Sequence, residues 1–151
     1  MSTLYLAVKL LHILLAITAV GANITYGVWF ARANAQPAFA PVALRGIKFI
    51  DDYIANPCYL LMLPTGILMV RLAGFSFGTH WISWAMGLWL LAIVLAYGGY
   101  SPSLRKQIAA VEAFGIGDPR TGALAVRANV FAGVLGVVVI AILVLMVFKP
   151  S

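Results

Sequence analysis

Residues Leu4–Arg32 read LYLAVKLLHILLAITAVGANITYGVWFAR. The run is apolar for long enough to cross a bilayer, which takes about 20 helical residues at ~1.5 Å rise each. It nevertheless carries His12, Thr18, Asn23 and Thr25 inside the apolar sequence. His12, Ala16, Ala19, Asn23 and Tyr26 follow i, i+4, i+7 spacing and so share one helical face. That face is small and polar. Small residues admit a second helix at close range, and polar groups in lipid need protein partners. The face is therefore expected to look into a bundle, with the remaining Leu, Ile and Val residues toward lipid. An imidazole on such a face is either a packed hydrogen-bonding group or a ligand.

The rest of the chain agrees with a membrane protein. Its 151 residues are 64% hydrophobic and 9% charged, with a mean hydropathy of +1.03, whereas a soluble domain is nearer a quarter charged. Four spans are expected, at about Leu4–Ala31, Ile47–Leu72, Trp81–Tyr100 and Leu124–Phe148. They form one all-α domain over residues 1–151, a polytopic four-transmembrane-helix bundle with no second domain and no internal repeat. The first apolar run is too long for a signal-peptide core, and Arg32 follows it rather than preceding it, so the segment is expected to stay as a span. The lone Cys58 cannot form a disulfide within the chain. The net charge of +6 comes from basic residues at the ends of apolar runs, a pattern of membrane orientation and not of nucleic-acid binding.

Orientation follows from those charges. The first and third connections carry seven Lys and Arg residues (Arg32, Arg45, Lys48, Arg105, Lys106, Arg120 and Arg127), and the other side carries three, Lys9, Arg71 and Lys149. The more positive side stays in the cytoplasm, so both termini are expected outside a bacterial inner membrane. Residues after Pro41 read as a short cytoplasmic approach to the second span, and Pro57 and Pro64 as bends within it. The third span is expected to leave the membrane at Gly98–Pro102, before an amphipathic surface helix over Leu104–Phe114 with Arg105, Lys106 and Glu112 on its wet side. GIGDPRTG reads as a turn. Asn129, Ala132, Gly133 and Gly136 form a small-residue stripe expected to pack inside the bundle.

Three polar constellations carry what function the sequence offers. His12 and His80 both fall near the outer surface under this topology. Two histidines from different helices can hold a haem iron from both faces, one can hold it alone, and imidazole also suits copper. The plain reading makes His80 an interfacial residue and His12 a hydrogen-bonding one. Asp51, Asp52 and Asn56 lie near the cytoplasmic end of the second span, at the depth where Arg127 and Asn129 enter the fourth. They read as a polar clasp between these helices, or as a point where protons enter. The clasp is preferred, because no chain of carboxylates continues deeper. Cys58, Met62, Thr65 and Met69 share a face, which suits Cu(I) or ordinary packing. Nothing matches a Walker loop, a dinucleotide fingerprint, a zincin motif or a Ser-His-Asp set.

The opening VKLLHILLAITAVGANITYGVWF resembles the first helix of an uncharacterised bacterial family of integral membrane proteins, the domain of unknown function 2269. Length, four spans and the Lys-x-x-His start all match, so the resemblance covers the whole chain. The Leu-His pattern also resembles the HemJ-type protoporphyrinogen oxidases, which bind b-type haem through the histidine of helix 1, and the membrane domain of CopD-type copper-resistance proteins. From the HemJ type only His12 carries over, as an axial ligand. The lysine of that family's third helix has no counterpart between His80 and Tyr100. The resulting expectation is a small haem b-binding redox or electron-transfer protein, and if an enzyme, a haem-dependent membrane oxidoreductase. Two other classes stand beside it: a non-catalytic membrane scaffold or accessory subunit, and a copper or small-solute permease. The partners expected are the lipid bilayer and a homo-oligomer or larger membrane complex.

Overall fold

The structure is a computed structural model that describes residues 2–150. It is almost wholly helical, with no strand among the described residues. Helix α1 (Thr3–Ala35) is capped by the Ser2 hydroxyl, which accepts from the Tyr5 N–H. A single turn at Pro37–Phe39 leads to α2 (Ala40–Ile50), a π turn at Asp51–Ala55 and α3 (Asn56–Leu72). After a tight turn come α4 (His80–Leu95), a second π turn at Ala96–Tyr100 and α5 (Ser101–Phe114). Gly115, at φ 82°, ends α5, and the Asp118 carboxylate caps α6 (Pro119–Phe148) by accepting from the Arg120 N–H.

Four helices are long and apolar enough to span a membrane: Thr3–Ala35, Pro37–Leu72, His80–Phe114 and Pro119–Phe148. Large apolar side chains such as Ile24, Val94, Val137 and Val147 stand exposed along them, as lipid-facing surface requires. The amphipathic character of α5 is as expected, but of GIGDPRTG only residues 115–118 form the turn: Pro119 opens α6, five residues before the expected start of the fourth span. Ser103, Leu104, Gln107 and Val111 are buried there, while Arg105, Lys106 and Glu112 are exposed.

The second and third helices are longer than the sequence suggested. Neither the approach to the second span nor Gly98–Pro102 interrupts a helix. Pro57 and Pro102 each stand second in the α-helix that follows a π turn. Their missing N–H groups are absorbed there by widening the preceding turn, so the residue before each proline bonds five back: Asn56 N–H to Asp51 O, and Ser101 N–H to Ala96 O. Pro57 in the second helix and Pro102 in the third therefore occupy matching positions.

The helices pair as sequence neighbours. α1 packs along α3, and α4 along α6, making two hairpins. Their backbones come together chiefly through α2 and α5, at the end of the bundle that carries the first and third connections. That connection end holds the main core: Tyr26, Ala33, Ala40, Leu44, Ile47, Tyr100, Leu104 and Val111, with Phe131 and Leu135 against them. Arg45 Nε meets Glu112 Oε1 at 2.8 Å across the α2–α5 junction, a surface pair that contributes about 0–1 kcal/mol at most. At the opposite end, which carries both termini and the turn before His80, Trp81 packs edge-on against Phe75 at 5.7 Å and Lys149 lies over its ring.

The stripe on α6 is turned the other way from the expectation. Ala128, Phe131, Leu135 and Val138 face the bundle; of the expected stripe only Ala132 packs against the core, whereas Asn129, Gly133 and Gly136 are exposed, and nothing lies within 4 Å of where a Cβ would stand on either glycine. Small size alone does not say which way a residue faces in a helix apolar all round.

Candidate functional site

The face of α1 singled out by its spacing does turn inward. Ala19 is fully buried and Tyr26 nearly so. His12 Nδ1 lies 2.8 Å from Thr65 Oγ1 on α3, with its Cε1 over Gly66, where a Cβ would come within 3.4 Å. The Thr65 hydroxyl has one proton, and the carbonyls of Leu61 and Met62 stand at 2.9 and 3.1 Å to receive it. With the hydroxyl proton donated to one of these carbonyls, the oxygen is placed to accept from the imidazole, and in that tautomer the proton sits on Nδ1 and the Nε2 lone pair is free. Nε2 has no protein partner among the described residues.

Further along the same seam, Asn23 Nδ2 donates to the Tyr59 hydroxyl at 2.6 Å, and Trp89 Nε1 reaches over from α4 to the Tyr59 carbonyl at 3.1 Å. Cys58, one residue away, is a free, half-buried thiol.

The seam ends at the first π turn. Asp51 is 95% buried there, at 5% exposure. Asn56 Nδ2 donates to its Oδ2 at 3.3 Å, and Lys48 Nζ stands 3.8 Å from the same oxygen. Lys48 also pairs with Asp52, whose side chain is 35% exposed against 12% for the lysine. The buried phenols of Tyr26 and Tyr100 lie within the field of Asp51, and the Tyr26 hydroxyl reaches its carboxylate, yet neither hydroxyl makes a well-formed hydrogen bond among the described residues.

Asp51, Asp52 and Asn56 thus come together as expected, but Arg127 and Asn129 do not join them. Both are exposed on α6, and the Arg127 guanidinium lies over the Phe131 ring instead. Lys48 supplies the cation, because i, i+3 and i+4 spacing brings it to both carboxylates within one helix. That spacing was visible in the sequence. Tyr100 was not, since its approach depends on the helix continuing through Gly98–Pro102. His80 is exposed at the first position of α4, on the other hairpin from His12. No three His, Cys, Asp or Glu side chains converge as a metal cluster among the described residues. Asp52→Asn is expected to lower stability by about 1 kcal/mol, modest because the pair is partly solvated. Thermal unfolding in detergent measures it.

These features define a four-span α-helical membrane protein whose polar side chains gather along one seam between its first two spans. A family model described as predicted integral membrane protein (DUF2269) matches residues 6–150, and the chain belongs to that family. No curated protein and no solved structure matches it.

Proposed function

We propose that the protein holds a b-type haem through His12 and serves electron transfer in the membrane. The contact between His12 Nδ1 and the Thr65 hydroxyl carries this reading. A neutral imidazole with its Nδ1–H anchored on Thr65 presents Nε2 to a ligand, the arrangement that metal-binding histidines use, with the second nitrogen fixing tautomer and orientation. His12 would hold the haem iron, and the bound haem would supply one-electron chemistry. Thr65 holds the ring, and Gly66 leaves room for its edge. His80, exposed on the other hairpin, is not placed beside His12, so His12 is the residue that would hold the group. Absorption spectra of the detergent-purified protein, oxidised and then reduced, test the proposal. Soret and α bands are expected, and protein from haem-sufficient cells without a Soret band would overturn it.

The runner-up is an accessory subunit in a homo-oligomer or larger membrane complex. The outward Asn129, Gly133 and Gly136 face of α6 favours it, since small and polar residues are what membrane helices use to dock.

We further place the chain in a bacterial inner membrane with both termini outside, on the seven-to-three division of Lys and Arg between the two ends. In a Cys58→Ala background, Ser76→Cys should react with an impermeant maleimide in intact cells and Gly117→Cys should not. Both positions are exposed. Labelling of Gly117→Cys from outside reverses the assignment.

A further inference from the structure

The two π turns stand at the same level of the bundle. One lies 17 residues from the end of α3 and the other 16 residues from the start of α4, each about 25 Å of helix from the turn that joins them. The first buries Asp51, and the second buries Tyr100. Tyr26 comes from α1 to complete the group. Tyr26 is 6% exposed and Tyr100 4%, and neither hydroxyl makes a well-formed hydrogen bond among the described residues. A buried hydroxyl left unsatisfied costs about 1–3 kcal/mol. Tyr26 reaches the buried carboxylate without well-formed hydrogen-bond geometry and Tyr100 lies within its field, an arrangement that a bridging water would complete.

Charge points the same way. Lys48, Asp51 and Asp52 together carry one net negative charge when both acids are ionised. A buried cluster with net charge is unfavourable, and one added proton neutralises it. Because Lys48 also pairs with Asp52, protonating Asp51 does not leave the ammonium bare.

We infer that the π turns enclose a hydrated proton-exchange site, in which Asp51 takes up and releases the proton and Tyr26 and Tyr100 hold the water beside it. The polar groups within the field of Asp51 are Lys48 from α2, Asp52 from its own turn, Asn56 and Tyr59 from α3, Tyr26 from α1, and Tyr97 and Tyr100 from the second π turn. Asp52 and Lys48 form the path to bulk water, as the more exposed carboxylate and its paired ammonium. The Lys48 ammonium gives a proton to an Asp51 oxygen and regains one from water at the rim. The net change is one proton from solvent onto Asp51, with no other bond made or broken. The site stands independently of the role of His12.

Infrared difference spectroscopy of the full-length protein in lipid nanodiscs, on acidification from alkaline buffer, tests this. The wild type should gain the C=O stretch of a protonated carboxyl. The band should vanish in Asp51→Asn and persist in Asp52→Asn. In Tyr26→Phe and Tyr100→Phe it should move to higher frequency, because a hydrogen bond to the carbonyl is lost. Should Asp51→Asn fail to fold, Asp51→Glu replaces it, and the band must move with the longer side chain. The inference is overturned by a wild type without the band, by a band unchanged in the Asp51 variants, or by one unmoved in both tyrosine variants.

Discussion

Gly99→Leu should destabilise the bundle by about 3 kcal/mol, and Phe131→Ala in the same chain should recover much of the loss. Gly99 is buried in the second π turn, and a Cβ built on it would run into the Phe131 ring of α6. Overpacking a close contact typically costs about 1–3 kcal/mol, and a leucine adds three carbons beyond the Cβ. The position is sensitive for a second reason. The Ser103 hydroxyl donates to the Gly99 carbonyl at 2.7 Å, which ties the backbone down where it would have to yield. Phe131→Ala alone leaves a space and should cost about 2 kcal/mol, since its ring is only half-buried. In the double variant the leucine occupies that space. Unfolding in mixed micelles measures all three proteins. If the two single losses simply add, Gly99 and Phe131 are not coupled and the contact does not limit residue size there.

His12→Ala should abolish haem retention while far-UV circular dichroism stays that of the wild type. Only a half-buried side chain is removed, and Ala favours the helix. His80→Ala should do little, because His80 is exposed on the other hairpin. Thr65→Val separates ligation from packing. It keeps the imidazole but removes the acceptor for its Nδ1–H, so haem retention should weaken on the order of 10-fold. The midpoint potential should rise as the ligand becomes less basic. A Soret band of full intensity in His12→Ala would assign the haem to another ligand.

Some of this structure is plain in the sequence and some is not, for identifiable reasons. The inner face of α1 is legible because His12, Ala16, Ala19, Asn23 and Tyr26 interrupt an otherwise lipid-like helix, and interruption at helical spacing marks a face. α6 has no such contrast. Asn129 and its two glycines could sit against protein or lipid, and the choice fell to Phe131, whose ring needs the gap over Gly99. The continuation of the third helix past Gly98–Pro102 is hidden for a local reason. Proline and paired glycines read as a stop, and one widened turn removes the conflict without changing composition. The partner of Asp51 was legible but outweighed. Matching Arg127 by depth looked across the bundle, while Lys48 lay one turn away in the same helix.

The hairpin pairing bears on how the protein is made. Residues 3–72 hold both partners of the Thr65–His12 and Tyr59–Asn23 bonds, so the seam can assemble before the ribosome has finished the second half. Residues 80–148 then insert as a second unit, and closure awaits α5 reaching α2. Cutting the chain at the exposed turn between them should therefore yield two co-expressed fragments that each enter the membrane alone and reassemble through the α2–α5 junction. Truncation inside α3 would strand His12 and Asn23 in lipid and mark the nascent chain for membrane proteolysis.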